Sequence, residues 1–447
     1  MRVLVIPLAL AACVPSSHAL RAPVDRLVGE RLGAPVDPLT SAQIDRVLAQ
    51  PLDAAAATRI ALAGNPRLHA AFDELDIAAG DVAAALGLGP VAIDAKLRFA
   101  SPHDEIEVDA IQSVLGLVLA PGRRAAAHAE LAAARATAAA TALRLVARVE
   151  IAFTDLLAAQ HDVKLRRTAF DAADAAATLR ERMHAAGNTS DLALVRDRDA
   201  REQARIELGR ADAAVAHRRA ALSALLGLSG ERTQWTVTGA LPDLPDAAPA
   251  LDALEATAVA ASLDLAAGRA RRDAAEHRAS TEQLRSFVPE LGVGVAVADD
   301  GHQTAIGPAL RIGIPLLDPR TGPRARASAV ARREAHTLAA QDTELRAAAR
   351  AARATALAAY DEARRLHDVV LPLREQIVGE TLKHYNAMDV DPFALIAARR
   401  ELVDGNHQYV DALRRYWNAM AEVTALSRGV MLGAAAPLPP TASEDDR

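Results

Sequence analysis

The stretch Gly307 to Ala335, GPALRIGIPLLDPRTGPRARASAVARREA, begins as one kind of structure and ends as another. Leu310, Ile312 and Ile314 alternate with Ala309, Arg311 and Gly313, the period of a strand with one apolar face. Pro315, Pro319, Gly322 and Pro323 interrupt the chain, and the Ala/Arg run that follows has no further breaker and reads as a helix. The plan occurs twice. Ser113 to Ala134, SVLGLVLAPGRRAAAHAELAAA, shows alternating Leu115, Leu117 and Leu119, a Pro121-Gly122 break, Arg123-Arg124 and an Ala-rich run. Further pairs lie at a shift of about 200 residues: ALAGNPRLHAA from Ala61 with AVAASLDLAAG from Ala258, PVAIDAKLRF from Pro90 with PELGVGVAVA from Pro289, and HAAGNTSDLAL from His184 with YNAMDVDPFAL from Tyr385. The sequence reads as one unit written twice.

Each unit reads as helix, strand, loop, strand, long helix, sharp turn and returning helix. In the first strand Val91, Ile93, Ala95, Leu97 and Phe99 share one face, and Asp94, Lys96 and Arg98 the other. In the second unit Leu291, Val293, Val295 and Val297 oppose Gly292, Gly294 and Ala296. One face suits lipid and the other water, as in a transmembrane barrel strand. Four strands cannot close a barrel alone and open edges are excluded from lipid, so several chains must contribute to one barrel. The segments Ala100 to Ala110 and Ala298 to Ile306 read as outward loops, rich in Asp, Glu, His and Gly.

The outbound helices, of about 60 residues and therefore about 90 Å at ~1.5 Å per residue, carry heptad seams. Leu338, Leu345, Ala352, Ala359, Leu366 and Leu373 recur every seventh residue, flanked by Asp342, Ala349, Ala356, Ala363, Val370 and Ile377. The return carries Leu395, Leu402, Tyr409, Tyr416 and Val423, beside Ala398, Gly405, Ala412, Ala419 and Leu426. In the first unit the seams are Ala142, Val149, Leu156, Val163 and Phe170 outbound, and Leu194, Leu208, Val215 and Leu222 on the return.

Composition agrees with long packed helices: 51% hydrophobic residues against only 3% aromatic. A formal net charge of -6 with mixed signs leaves no electrostatic footprint for nucleic acid. The single cysteine, Cys13, closes MRVLVIPLALAAC, where Leu10-Ala11-Ala12-Cys13 resembles a lipobox that leaves the cysteine lipidated after signal cleavage. No stretch approaches the ~20 uninterrupted apolar residues of a membrane helix. The thirteen histidines are scattered without helical pairing, so neither a metal site nor a cofactor is expected, and no nucleophile with a paired base suggests an enzyme.

NPRLHAA, GIPLLDPRTGPRARA and the doubled turn, in their order, duplication and spacing, resemble the TolC-like outer-membrane efflux protein family over nearly all of the mature chain. The resemblance implies a mainly α fold with a membrane β-barrel: a homotrimer with four strands per chain, long coiled-coil α-helical hairpins forming a tunnel, and an internal two-fold repeat. It implies passive conduction of substrates exported by an inner-membrane pump, joined through a periplasmic adaptor, from a lipid-anchored position in the outer membrane. YNAMDVDPFALIAARRELVDGNHQYVDALRRYWNAMAEV is similar to members encoded with heavy-metal or copper export systems; multidrug and type I secretion partners remain open.

By the same resemblance, the tip segments contact the adaptor through His184, Leu192, Tyr385 and Phe393, and Gly187, Asp191, Met388, Asp389 and Asp391 shape the periplasmic entrance. Gly187 suits a positive φ, whereas Met388 at the matching place is expected to prefer another turn geometry. The family's gate carboxylates fall on Ala394 and Ala397 here, so that gate does not carry over. Asp191, Asp389 and Asp391, repeated by threefold symmetry, read either as a cation-favouring ring or as helix caps. Asp94, Lys96, Arg98 and Arg311 are expected to face the lumen, and no Trp or Tyr girdle marks the strand ends.

The expected organisation is a signal peptide over 1–12, a lipidated extended segment over 13–57, the first repeat over 58–230, a linker in the belt over 231–254, the second repeat over 255–430 and a disordered tail over 431–447. A lipid-anchored coiled-coil scaffold is the competing class, but leaves four matched alternating strands unexplained. The adaptor itself has one hairpin, whereas this sequence has two.

Overall fold

The structure is a computed structural model of the 447-residue chain, and it describes residues 16–36, 39–85, 91–98, 105–287, 290–299, 303–313 and 321–433. In chain order these form α1 (Ser17–Leu32), α2 (Ser41–Leu48), α3 (Ala54–Gly64), α4 (Pro66–Ala85), β1 (Val91–Arg98), β2 (Glu105–Ser113), α5 (Leu115–Ala185), α6 (Asp191–Leu226), α7 (Leu254–Ala261), α8 (Leu263–Phe287), β3 (Glu290–Asp299), β4 (Thr304–Gly313), α9 (Thr321–Arg365), a π turn (Leu366–Val370), α10 (Leu371–Asn386) and α11 (Pro392–Ser427). Two compact units result. The first gathers Met1–Glu30, His69–Ala140 and Leu263–Glu344, and the second Arg31–Leu68, Thr141–Ser262 and Leu345–Arg447.

The first unit holds one four-stranded sheet of order β1-β2-β3-β4, antiparallel throughout. Register places Ile93 opposite Ala110, Ala110 opposite Val295 and Val295 opposite Pro308, so the expected apolar face is continuous across all four strands. The first expected hairpin is corrected. Val114 to Leu119 is not a strand: β2 ends at Ser113, and α5 starts at Leu115 and runs through Pro121. Leu115 and Leu119 are buried while Leu117 and Val118 are exposed, a helical spacing rather than an alternation. Pro121, the seventh residue of α5, has no N–H to offer the Leu117 carbonyl, and next to it Arg123 Nη2 donates to the Gly116 carbonyl at 3.0 Å. Consequently Glu105 to Ala110, expected in an outward loop, belongs to β2. The Ala298 to Ile306 loop likewise shrinks, because β3 extends to Asp299 and β4 begins at Thr304.

The segment expected to be extended over 13–57 instead carries α1, α2 and the first residues of α3. α1 buries Leu20, Val24 and Val28, spaced four apart on one face, and its Arg21 guanidinium stacks 4.9 Å from the centroid of Phe72 on α4.

The second unit packs the hairpins. On α5, Ala142, Val149 and Leu156 are buried, with Val163 and Phe170 half-buried; on α6, Leu194, Leu208 and Leu222 are buried. Leu345, Ala349, Ala352, Ala356, Ala359 and Ala363 form the buried stripe of α9, and Ala398, Gly405, Ala412, Ala419 and Leu426 that of α11; Tyr360 meets Tyr416 at 5.8 Å between ring centroids, and Gly405 lies against Leu371 and Arg374. Leu373 and Ile377, which the heptad places on the same seam, are 53% and 47% exposed, so the seam outlasts its burial within one chain. The π turn interrupts the heptad just before Pro372, whose ring leaves no N–H for the Asp368 carbonyl; Leu371 N–H reaches Leu366 instead.

A buried carboxylate ties three helices. Asp155 on α5 accepts from Arg218 of α6 at 2.9 Å, and from Arg414 at 3.2 Å and Asn418 at 2.9 Å on α11. The few aromatic residues fasten the interunit linker of the sequence. Trp235 is buried under the Arg219 guanidinium and donates to Ser223 Oγ at 3.2 Å. Tyr360 donates to the carbonyls of Pro245 and Asp246, and Trp417 to that of Pro242.

Gly227 ends α6 with φ 71°, and a Cβ there would stand 2.1 Å from the carbonyl oxygen of Gly64. Gly227→Ala is expected to destabilise the second unit by about 2 kcal/mol or more, from the left-handed backbone and this collision together. Thermal unfolding followed by circular dichroism checks it; an unchanged midpoint would contradict the close approach.

Candidate channel face and hairpin tips

Two features carry chemistry: the polar face of the sheet in the first unit and the hairpin turns in the second. Along β1 and β2, Asp94 stands opposite Asp109 and Lys96 opposite Glu107, all on the face away from Ile93 and Leu97. Lys96 Nζ lies 3.2 Å from Asp109 and 3.5 Å from Glu107. Arg311 on β4 bonds Asp94 at 2.5 Å and lies 3.7 Å from Glu290. The sequence-derived residues Asp94, Lys96 and Arg311 therefore come together, and Arg98 lies in β1 opposite Glu105 in register. Glu107, Asp109 and Glu290 were not anticipated, although the alternation EIEVDAIQ from Glu105 was available to show the first two.

The ion pair between Arg311 and Asp94 also reports the shape of the sheet. Asp94 shares a row with Asp109, Ala296 and Gly307, and Arg311 is four residues beyond Gly307. On a flat sheet their Cα atoms would be about 19 Å apart, from three spacings of ~4.8 Å and four residues of ~3.3 Å. Two side chains do not span that distance, so the sheet curls with its polar face concave. β3 permits the curl: a Cβ on Gly294 would lie 2.0 Å from the carbonyl oxygen of Ala110, and one on Gly292 would lie 2.7 Å from Ile111. The convex face exposes Val91, Ile93, Leu97, Ile106, Val293, Val295, Ile306, Leu310 and Ile312, with Ile93 at 71% and Ile306 at 73%. Contiguous apolar exposure on this scale marks a surface built for lipid or another protein.

At the tips, the first hairpin turns through Gly187 with φ 77°. Gly187 N–H reaches His184 O and Asn188 N–H reaches Met183 O, the paired bonds of a Schellman cap. Met388 does not adopt a different geometry as expected. It takes φ 62°, with Met388 N–H on Tyr385 O and Asp389 N–H on His384 O, the same two bonds in the same spacing. The return of the chain into α11 demands this turn, and tertiary geometry overrides the local preference of methionine. Ser190 caps α6 and leaves Asp191 in the first turn, where it lies 2.6 Å from His184 Nε2; Asp391 caps α11, accepting from Ala394 N–H at 2.9 Å. Asp389 is 3.2 Å from His384 Nδ1.

Among the expected adaptor contacts, Leu192 is 61% and Tyr385 39% exposed, whereas Phe393 is half-buried under the Arg180 guanidinium, 3.4 Å from its centroid. Arg180 also bonds Asp197 at 2.6 Å. Phe393 thus fastens the two hairpins together rather than standing free. Beside the π turn, a cleft of about 300 Å³ is lined by Glu362, Arg365, His407, Asp411 and Arg415. Near it, the His367 hydrogen bond, and after it Arg364, hold the Asp368 carboxyl below the usual carboxylate range, and burial raises the Tyr409 phenol. Among the described residues no group of three or more His, Cys, Asp or Glu has the geometry to hold a metal ion. Likewise none of the described helices is long and apolar enough to cross a membrane. Cys13, Phe99 and the strand-to-helix passage over 314–320 lie outside the described residues.

This architecture, a curled four-stranded sheet with long helical hairpins, is the fold of outer-membrane channel proteins. A membrane protein from Pseudomonas aeruginosa matches with a TM-score of 0.70 at 17% identity, over 84% of this chain and 93% of its own. The CmeC outer membrane channel of Campylobacter jejuni matches at 0.69 and 13% identity, over 86% and 87%. The outer membrane protein VceC of Vibrio cholerae matches at 0.67 and 16%, over 87% and 97%. Neither a protein-family model nor a curated protein matches the sequence. The structural likeness agrees with the resemblance to TolC-like proteins carried by the repeated motifs.

Met388→Gly is expected to stabilise the second tip by about 1 kcal/mol, and Gly187→Met to weaken the first by a similar amount, because only glycine adopts positive φ freely. Amide hydrogen exchange at the two turns measures both; equal exchange in parent and variants would show that methionine carries no strain there.

Proposed function

We propose that the chain is the outer-membrane channel of a tripartite efflux system, conducting passively what an inner-membrane pump delivers. The observation that carries this reading is the sheet. Its convex face is apolar and exposed, its concave face charged, and among the described residues the outer edges of β1 and β4 have no strand partner. A second and third copy would pair those edges and close a twelve-stranded barrel, with lipid outside and water inside. Each chain then contributes two helical hairpins to the tunnel, and the exposed stretch of seam at Leu373 and Ile377 is available to neighbouring copies. The order α4-β1-β2-α5-α6 followed by α8-β3-β4-α9-α10-α11 supports duplication of one unit, with boundaries near 58–230 and 255–430.

In the second unit we assign the turns around Gly187 and Met388, with His184, Leu192 and Tyr385, to contact with a periplasmic adaptor. Asp191 and Asp389 point the tip toward cations, while Asp391 serves foremost as a cap. Cys13 is assigned as the lipid anchor, after removal of 1–12. Copper or another heavy metal is the cargo suggested by the second tip segment, transported without a chelating site in the described residues; multidrug cargo is the alternative.

Purified protein in detergent is expected to scatter light as three copies of 46.9 kDa and to migrate differently before and after heating, as closed barrels do. A monomer with no heat-dependent shift would overturn the channel and favour a coiled-coil scaffold. Palmitate labelling is expected in the parent and absent in Cys13→Ser; label retained in the variant would remove the anchor assignment.

A further inference from the structure

The concave face contains a carboxylate that its neighbours do not neutralise. Asp109 has a side chain 9% exposed, and one oxygen lies 3.2 Å from Lys96 while the other, Oδ1, is buried without any hydrogen-bond partner. Buried carboxylate oxygens are costly to leave unmade, and such an oxygen marks a place where something outside the chain completes the shell. The surroundings do not complete it. Lys96 is shared between Asp109 and Glu107, and Arg311 between Asp94 and Glu290, so among the described side chains four carboxylates share two cationic groups. On the neighbouring strands the same face holds Gly292, Gly294, Ala296, Gly307 and Ala309, which carry no side-chain donor, and Arg311, which is engaged with Asp94 and Glu290.

We propose that Asp109 is the residue that sets cation preference in the sheet portion of the channel: its incompletely compensated charge draws hydrated cations to the concave face as they pass. The inference rests on the channel reading above and adds the residue and the sign of the charge selected. Asp94 is paired with Arg311, and Glu107 and Asp109 share Lys96, whereas Asp109 alone keeps a buried oxygen without a hydrogen bond. Because no three acidic or imidazole groups converge among the described residues, the step selects by charge and not by coordinating one metal. Rings of carboxylates act this way in pores, and three copies would repeat the arrangement. The low-dielectric surroundings of a nine-tenths buried carboxylate strengthen its field relative to an exposed one, and added salt screens it less.

The test is the reversal potential of single channels in planar bilayers under a potassium chloride gradient. Compared with the parent, Asp109→Asn is expected to lower the potassium-to-chloride permeability ratio at least two-fold with conductance steps retained. Lys96→Gln, which removes the cation shared with Glu107, is expected to raise the ratio. Asp389→Asn at the tip of the second unit separates the two regions, since it should leave the response to Asp109→Asn in place. Conducting parent and variants with one common reversal potential would overturn the role of Asp109 and leave the channel reading intact. A folded trimeric parent that never conducts would overturn both. Should Asp109→Asn fail to insert, Lys96→Gln alone decides: a raised ratio supports the proposal, and an unchanged or lowered one sinks it.

Discussion

Everything in this chain follows from a sheet that cannot be satisfied alone. Among the described residues the outer edges of β1 and β4 have no strand partner, and the convex face turns Ile93, Leu97, Ile306 and Leu310 outward. In water the exposed face is unfavourable; in lipid the open edges cost several kcal/mol for each unmade hydrogen bond. Closure by further strands with lipid around them, as proposed above, relieves both. The concave face obeys the complementary constraint: a curl tight enough to bring Arg311 to Asp94 requires Gly292 and Gly294 where larger residues would strike β2.

The helices solve a different problem with one residue type. Alanine along α9 and α11, with Gly405 among them, lets backbones approach and buries a seam without bulky side chains. Such a seam has little to hold its register, and the polar hub supplies it: Asp155, buried on α5, meets Arg218, Arg414 and Asn418 from two other helices. A shift of one turn would strand the carboxylate, and stranded buried charge is far more costly than a misplaced alanine. Tyr360, Trp417 and Trp235 play a comparable part for the linker, three of the twelve aromatic residues fixing irregular backbone.

The concave face and the tips lie in separate compact units and treat charge differently. At the tips each aspartate has a local partner, His184 for Asp191, His384 for Asp389 and a backbone N–H for Asp391, all exposed to solvent. On the sheet the carboxylates outnumber their partners and one is buried. The field of the sheet is therefore the less screened of the two.

Alternation in VAIDAKLR and ELGVGVAV, and the heptads from Leu338 to Leu373 and from Leu395 to Val423, made the strands, the hairpins and their pairing legible, because periods of two and of seven are local consequences of pleat and helix. The same local reading failed at Leu115, Leu117 and Leu119. Three alternating leucines beside a proline satisfy a strand as well as a first helical turn, and only the pairing of Glu105–Ser113 with both β1 and β3 settled which residues form the second strand. Met388 failed for the related reason that a turn between two packed helices is set by where those helices must go. Asp109 stood in the sequence as one acid among many. Its isolation arises from burial by strands nearly two hundred residues away, and no local pattern encodes a missing partner.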